Sequence, residues 1–385
     1  MSGTRIEKRS PLSWFELNFA ELPDPRTGNA TQHDLMEVLT IALTASIAGA
    51  QNCTEFAAFG VDRKDLFDEF LDLNNGIPSH DTFSRVFRLL DPEAFAECFG
   101  RFLEEMNQQS RGIMAIDGKT LRRSFDAAAN RSPLEAVTAF SAEGGVVLGQ
   151  KGFRSGDGDS EITAARALLA CLDLRGVLVT ADAIHCQDET ARTVLDQGGD
   201  YLLALKDNRP ALHSEVAKLF EAAEGHGIDP LVTTDKGHGR IEVRRHYVSH
   251  DLSWLNGPKT AAGLPELPPG LGCLAMVEAE VTRNGKTTIT RRYYLGSAKM
   301  SAQRFAEAVR GHWRIENSLH WVLDETFDED RARNRADNAP ENLAVLRKLA
   351  LNMLRNARRD LSIRLKRKRV GWSNQIAYEI LGQMR

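Results

Sequence analysis

Three acidic residues stand out by their neighbours. Asp117 ends the apolar run "IMAI" in "RGIMAIDGKTLRRS", and Asp182 ends another apolar run in "RGVLVTADAIHCQ". Glu316 lies in "HWRIENSLHW", inside a segment with helical patterning. A carboxylate at the end of a buried strand is costly unless a cation meets it. In an open α/β sheet, groups at strand ends project into the crevice where ligands bind. Magnesium and manganese take oxygen ligands, and two such ions roughly 3.5–4 Å apart serve in-line phosphoryl transfer. Taken singly, each acid has a plainer explanation. An aspartate after a strand commonly caps a turn, and a glutamate between Arg314 and His320 suits an i,i+4 pair. The order strand-Asp, strand-Asp, insert, helix-Glu is what argues for chemistry.

Other spacings are less productive. "DGKT" (117–120) and "NGKTT" (284–288) lack the glycine five residues earlier that a phosphate loop needs. There is no G-x-S-x-G. His312, Glu316 and His320 share a helix face at i, i+4, i+8, where zinc is conceivable, but the H-E-x-x-H arrangement is absent.

The elements that must position these acids follow from periodicity. Residues 1–108 have helical patterning throughout, with Phe95, Phe99 and Phe102 at helical spacing and Pro92 near a helix start. Ser79 or Asp81 is a candidate N-cap. A plain helical bundle is favoured over a helix-turn-helix, because helical spacing alone names no groove. From residue 109 to 227 the pattern becomes α/β. "IMAI" is a short strand, and "PLEAVTAFSAEGGVVLGQKGF" makes two strands turning at Glu143-Gly144-Gly145. Alternating helices and buried strands follow, which describes a mixed sheet covered on both faces. Residues 228–300 form a strand-rich insert with a hairpin at Asn284-Gly285. "SAQRFAEAVRGHWRIENSLHWVLDETF" predicts one long helix capped by Ser301, opening the 301–385 part.

Composition bounds the class. The chain has 385 residues, 42% of them hydrophobic, enough for two or three domains with proper cores. A net charge of −4 excludes a uniformly basic DNA-coating protein. Five dispersed cysteines without C-x-x-C predict reduced thiols and a soluble cytoplasmic protein. The run "LMEVLTIALTASIAGA" carries Glu37 and is short for a membrane span, so it predicts a buried helix.

Several long segments then carry a family resemblance: "GIPSHDTFSRVFRLLDPEAF", "AIDGKTLRRSFD", "VTADAIHCQ", "DYLLALKDNRP", "KGHGRIEVR", "HWRIENSLHWVLDETFDEDRAR" and "NAPENLAVLRKLALNMLR". Over nearly its whole length the chain resembles a DDE transposase of bacterial insertion sequences, in the branch that includes the H-repeat-associated proteins. The resemblance implies an α/β fold: a ribonuclease-H-like mixed sheet with a β-rich insert, plus an N-terminal all-helical domain that binds element ends. It makes Asp117, Asp182 and Glu316 the catalytic metal ligands for two Mg²⁺ ions, with Mn²⁺ as substitute. It also implies double-stranded DNA as partner and a homodimer in the DNA complex. Better-known relatives carry a tyrosine, an arginine and a lysine around the helix glutamate. Here those positions hold Val309, His312 and Leu323.

Between Arg331 and Arg369 stand thirteen Lys and Arg against three acids, an expected track for phosphates. The candidate DNA contacts are Lys119, Arg122, Arg123, Lys206, Lys236, His238, Arg240, His312, Arg314, His320, Arg331, Arg333 and Arg335. The expected function is metal-dependent DNA cleavage at element ends with strand transfer. The alternatives are a nuclease of the same fold and an inactive, transposase-derived DNA-binding protein.

Overall fold

Three strands of "IMAI" type build the platform on which everything else is laid. β1 (Gly112–Thr120), β2 (Leu134–Ser141) and β3 (Val146–Arg154) form an antiparallel meander. β4 (Val177–Ala181) then joins β1 in parallel, and β5 (Asp200–Leu205) joins β4. "VLVTA" is buried over its whole length, as a parallel strand covered on both faces must be. The computed structural model describes residues 13–106, 111–126, 129–155, 158–221, 228–237, 240–253, 267–357 and 360–382.

The strand-rich segment from 228 to 300 extends this same sheet. β6 (Leu231–Gly237), β7 (Arg240–Ser249), β8 (Cys273–Arg283) and β9 (Lys286–Gly296) are antiparallel neighbours. β9 docks on β5 from Leu202↔Gly296 to Leu205↔Tyr293. The result is one nine-stranded mixed sheet of order β3-β2-β1-β4-β5-β9-β8-β7-β6. Asn284 and Gly285, at φ 52° and 74°, supply the left-handed pair that a tight hairpin requires.

Ahead of the sheet lie α1 (Ser13–Phe19), α2 (Leu35–Ala48), α3 (Cys53–Asp62), α4 (Lys64–Phe67), α5 (His80–Leu89) and α6 (Pro92–Met106). On one face of the sheet lie α7 (Glu161–Ala170), α8 (Asp188–Asp196) and α9 (Pro210–Glu221), whose Leu168, Val194 and Val216 meet Met114, Ile116 and Val179. The other face carries α10 (Ala302–Arg314), a π-helical turn (Ile315–His320), α11 (Trp321–Phe327) and α12 (Ala339–Asn356). The chain closes with α13 (Ile363–Trp372) and α14 (Asn374–Leu381).

The apolar run from Leu35 is the buried helix α2, capped by Asp34 and packed on α12. Leu343, Leu346, Leu349 and Leu354 of α12 are essentially inaccessible. Each such leucine contributes roughly 1.5–3 kcal/mol, so α12 is the central column joining the N-terminal helices to the sheet. Asn342 reinforces the joint, donating to the carbonyls of Phe87 and Leu90 at 2.9 Å each. All five cysteines are free thiols. No helix among the described residues is long and apolar enough to cross a membrane.

Candidate active site

Parallel pairing brings the two aspartates together. Ile116 is in register with Ala181, so Asp117 and Asp182 follow at the same level on neighbouring strands. β4 stops at Ala181, and Asp182 steps out of the sheet with 57% of its side chain exposed, against 25% for Asp117. Alternation along the strands points Asp117 to the α10 side, the side on which Thr180 meets His312.

The glutamate helix reaches across both strands. Ser301 caps it, accepting from the Arg304 amide, and Gly311 lets it approach β1 closely. A Cβ at Gly311 would lie 3.0 Å from Ile113 Cγ2 and 3.1 Å from Ala142 Cβ. The predicted long helix is continuous from 302 to 327, but residues 315–320 adopt the wider π turn, a feature common at functional sites. His312 Nε2 lies 3.5 Å from Asp182 Oδ1, and its Nδ1 is 3.2 Å from Thr180 Oγ1. His320 Nε2 lies 3.2 Å from Asp117 Oδ2 without hydrogen-bond alignment, and its Nδ1 is buried without a partner. Each aspartate therefore has its own histidine from one helix. The His312 contact, against the opposing effect of burial, holds the Asp182 carboxyl below the ordinary aspartate range.

Glu316 lies between these histidines in sequence but is exposed. Among the described residues, no three His, Cys, Asp or Glu are gathered closely enough to hold a metal ion. Asp117 and Asp182 suit a hard divalent cation in donor type and placement, and Glu316 belongs to the helix that already touches both.

A residue that sequence reasoning passed over lies behind the aspartates. Glu161, the first residue of α7, presses its carboxyl against Gly118, where a Cβ would meet it at 2.6 Å. Its Oε1 is 3.2 Å from Nε2 of His185, which is 1% exposed. His185 in turn donates its amide to the Asp182 carbonyl at 3.0 Å. Glu161 thus braces the chain after Asp117 against the turn after Asp182. The only local signal was the glycine following Asp117.

The predicted DNA contacts separate into two groups. Lys119 is engaged internally: its Nζ pairs with Asp324, lies 3.0 Å from Glu329 Oε2 and 3.8 Å from Asp330 Oδ1. This corrects its expectation as a phosphate contact. The basic run needs the same correction, because Arg347, Lys348, Lys366 and Arg367 are buried. Lys366 donates to the carbonyls of Leu354 and Ala357, and Arg367 to that of Ser46. Arg122, Arg123, Lys206, Lys236, Arg240, Arg314, Arg331 and Arg333 are exposed. Arg335 stacks on Phe125 with its guanidinium carbon 4.4 Å from the ring centre. His238 lies outside the described residues.

Residues 108–353 match the family described as "Transposase DDE domain", and residues 17–103 match the one described as "DDE_Tnp_1-associated". The chain is 37% identical over 360 residues to "Putative transposase YncI" of Escherichia coli O157:H7, covering 90% of this chain and 88% of that one. It is 34% identical over 346 residues to "H repeat-associated putative transposase YhhI" of E. coli K12, covering 87% and 88%. Over a shorter stretch of 64 residues, 17% of this chain and 76% of that one, it is 36% identical to "Inactive transposase YbfQ" of E. coli K12. Among solved structures, the piggyBac transposase synaptic complex with hairpin DNA aligns at TM-score 0.47 and 12% identity, over 98% of this chain and 82% of that one. The chain belongs to the bacterial DDE transposase family, in the branch of the H-repeat-associated proteins.

Proposed function

We propose that the chain is a transposase that cleaves DNA at insertion-sequence ends and joins the freed 3′-hydroxyls to target DNA. The observation that supports this is the level register of Asp117 and Asp182 on β1 and β4, spanned by the one helix that carries Glu316. In this reading the sheet is a ribonuclease-H-like core, and Asp117, Asp182 and Glu316 are the metal-holding carboxylates. Bound Mg²⁺ or Mn²⁺ would supply activation of the attacking oxygen and charge stabilisation of the leaving one. The protein's own part is positioning. His312 and His320 orient the two aspartates, Glu161 and His185 brace them from behind, and exposed arginines bind duplex phosphates. Two copies would hold the two element ends.

The exposed, ungathered Glu316 favours a second reading, a family member that binds DNA without cutting it. One experiment separates them. A labelled fragment carrying the gene's flanking inverted repeats is incubated with Mg²⁺ or Mn²⁺ and either wild type or Asp117→Asn. Nicking at the repeat boundary by wild type alone supports the transposase reading, and joined products from paired ends exclude a simple nuclease. Binding without cleavage by both supports the second reading.

A further inference from the structure

Toward their hairpin tips β6–β9 carry only exposed or half-buried residues, so both faces meet solvent. Their register assigns every side chain to a face. One face carries three of the chain's exposed β-branched residues, Val232, Ile241 and Ile289. Apart from Lys236, its charges are matched internally: Arg245 Nη1 lies 3.2 Å from Glu278 Oε1 and Arg245 Nη2 3.0 Å from Glu280 Oε2, while Arg291 Nη2 is 2.8 Å from Glu278 Oε2.

The opposite face is different in kind. Arg240, Arg283 and Lys286 stand in one row across three strands. Thr288, Thr290 and Arg292 continue from them along β9, all exposed. The two acids on this face, Asp235 and Glu242, are already occupied. Arg244 lies 2.6 Å from the first and 2.8 Å from the second, Arg240 Nη2 lies 3.6 Å from Glu242 Oε2, and Arg310 of α10 also takes Asp235 at 2.6 Å. Arg283 and Lys286 have no acidic partner among the described residues. Arg292 lies over Trp313 of α10 at 4.8 Å. Through Arg310 and Trp313 this face therefore adjoins the turn of α10 whose His312 meets Asp182, just ahead of the π turn whose His320 lies against Asp117.

We infer that this Arg/Lys/Thr face of β7–β9 is a track for the phosphate backbone of duplex DNA, leading toward the two aspartates; the inference rests on the transposase reading. Charge complementarity carries it. This face offers three cations without an acidic partner among the described residues, Arg283, Lys286 and Arg292, beside the exposed Thr290, while on the other face only Lys236 lacks one. From Lys286 to Arg292 the strand rises about 20 Å, the length of roughly six base pairs. Lys236 falls on the opposite face, in register with Ile241, and so is not part of the track.

The test is salt-dependent binding of a labelled 30-base-pair duplex by the full chain, followed by fluorescence anisotropy between 50 and 200 mM salt. The variants are Lys286→Gln, Arg240→Gln/Arg283→Gln/Lys286→Gln, and Lys236→Gln, each checked for wild-type thermal unfolding. The triple variant is expected to flatten the slope of log affinity against log salt by about 2–3, Lys286→Gln by about 0.9, and Lys236→Gln not at all. A triple variant with the wild-type slope overturns the track, as does one whose only change is in self-association by sedimentation. Wild type that binds no duplex at 50 mM salt removes the transposase reading and the track with it.

Discussion

Lys119 Nζ lies 3.0 Å from Glu329 Oε2, although 210 residues separate them. The lysine follows Asp117 by two positions on β1, and the glutamate stands in the turn just after the glutamate helix. Asp324 on α11 and Asp330 complete the ring around the ammonium. This pair ties the strand bearing the first aspartate to the segment that ends the helix bearing Glu316.

Removing one partner of a buried ion pair leaves the other uncompensated, which costs about 3–5 kcal/mol. Lys119→Ala is therefore expected to lower stability by that order, measured by urea unfolding at pH 7. Lys119→Met with Glu329→Gln should lose less than the two single changes combined, because neither member of this pair then strands the other, although Asp324 and Lys348 still lose a partner. Additive losses would show that the pair is not coupled.

The same glutamate sets an acid limb. Burial alone would raise its carboxyl, but Lys348, Lys119 and Arg347 outweigh burial and hold it down to about 2. A carboxyl depressed on folding stabilises fully above its unfolded value and loses that contribution as pH falls through its folded value. For Glu329 the window runs from 4.5 down to about 2. Urea midpoints across that range should fall for wild type and fall less for Glu329→Gln. Lys348 acts in the other direction. Burial pushes it down to about 8, so its cost is present below that pH and relieved as pH rises toward 10.5.

Gly118 is a matter of space. A methyl there would meet the Glu161 carboxyl at 2.6 Å. Gly118→Ala should cost about 1–3 kcal/mol by overpacking, and adding Glu161→Ala should recover part of it. Thermal unfolding of both singles and the double decides this. A double variant no better than Gly118→Ala would mean that the clash lies elsewhere.

His312 holds Asp182 from the helix side. On the transposase reading, with Asp182 as a metal-holding carboxylate, His312→Ala is expected to lower single-turnover cleavage of end-containing DNA about 10–100-fold, as loss of a partner that orients such a carboxylate does. His312→Gln, which keeps a donor, should recover part of the loss. Equal rates for wild type and His312→Ala would remove the residue from the site.

Much of this was legible in the chain because it is local. The cap at Ser301, the turn at Asn284-Gly285 and the buried run "VLVTA" depend on residues within a few positions of one another. The two aspartates could be picked out for the same reason, each ending its own apolar strand. Their proximity could not, since it comes from β1 pairing with β4 across the β2–β3 meander and α7. The exposed Glu316 in a π turn was likewise invisible, because a 3.6-residue pattern does not announce a widened turn.

The basic run shows the limit most clearly. Counted along the chain, Arg347, Lys348, Lys366 and Arg367 look like a phosphate track. Folded, they are buried against carbonyls, Gln150 and the Phe327 ring. Sequence determined the elements, the strand-end aspartates and the family pattern, because covalent neighbours and short periods encode them. Tertiary structure alone decided which charges face water, which brace the sheet, and where β9 extends it. Burial and pairing are properties of what packs opposite a residue, and that partner lies far away in the chain.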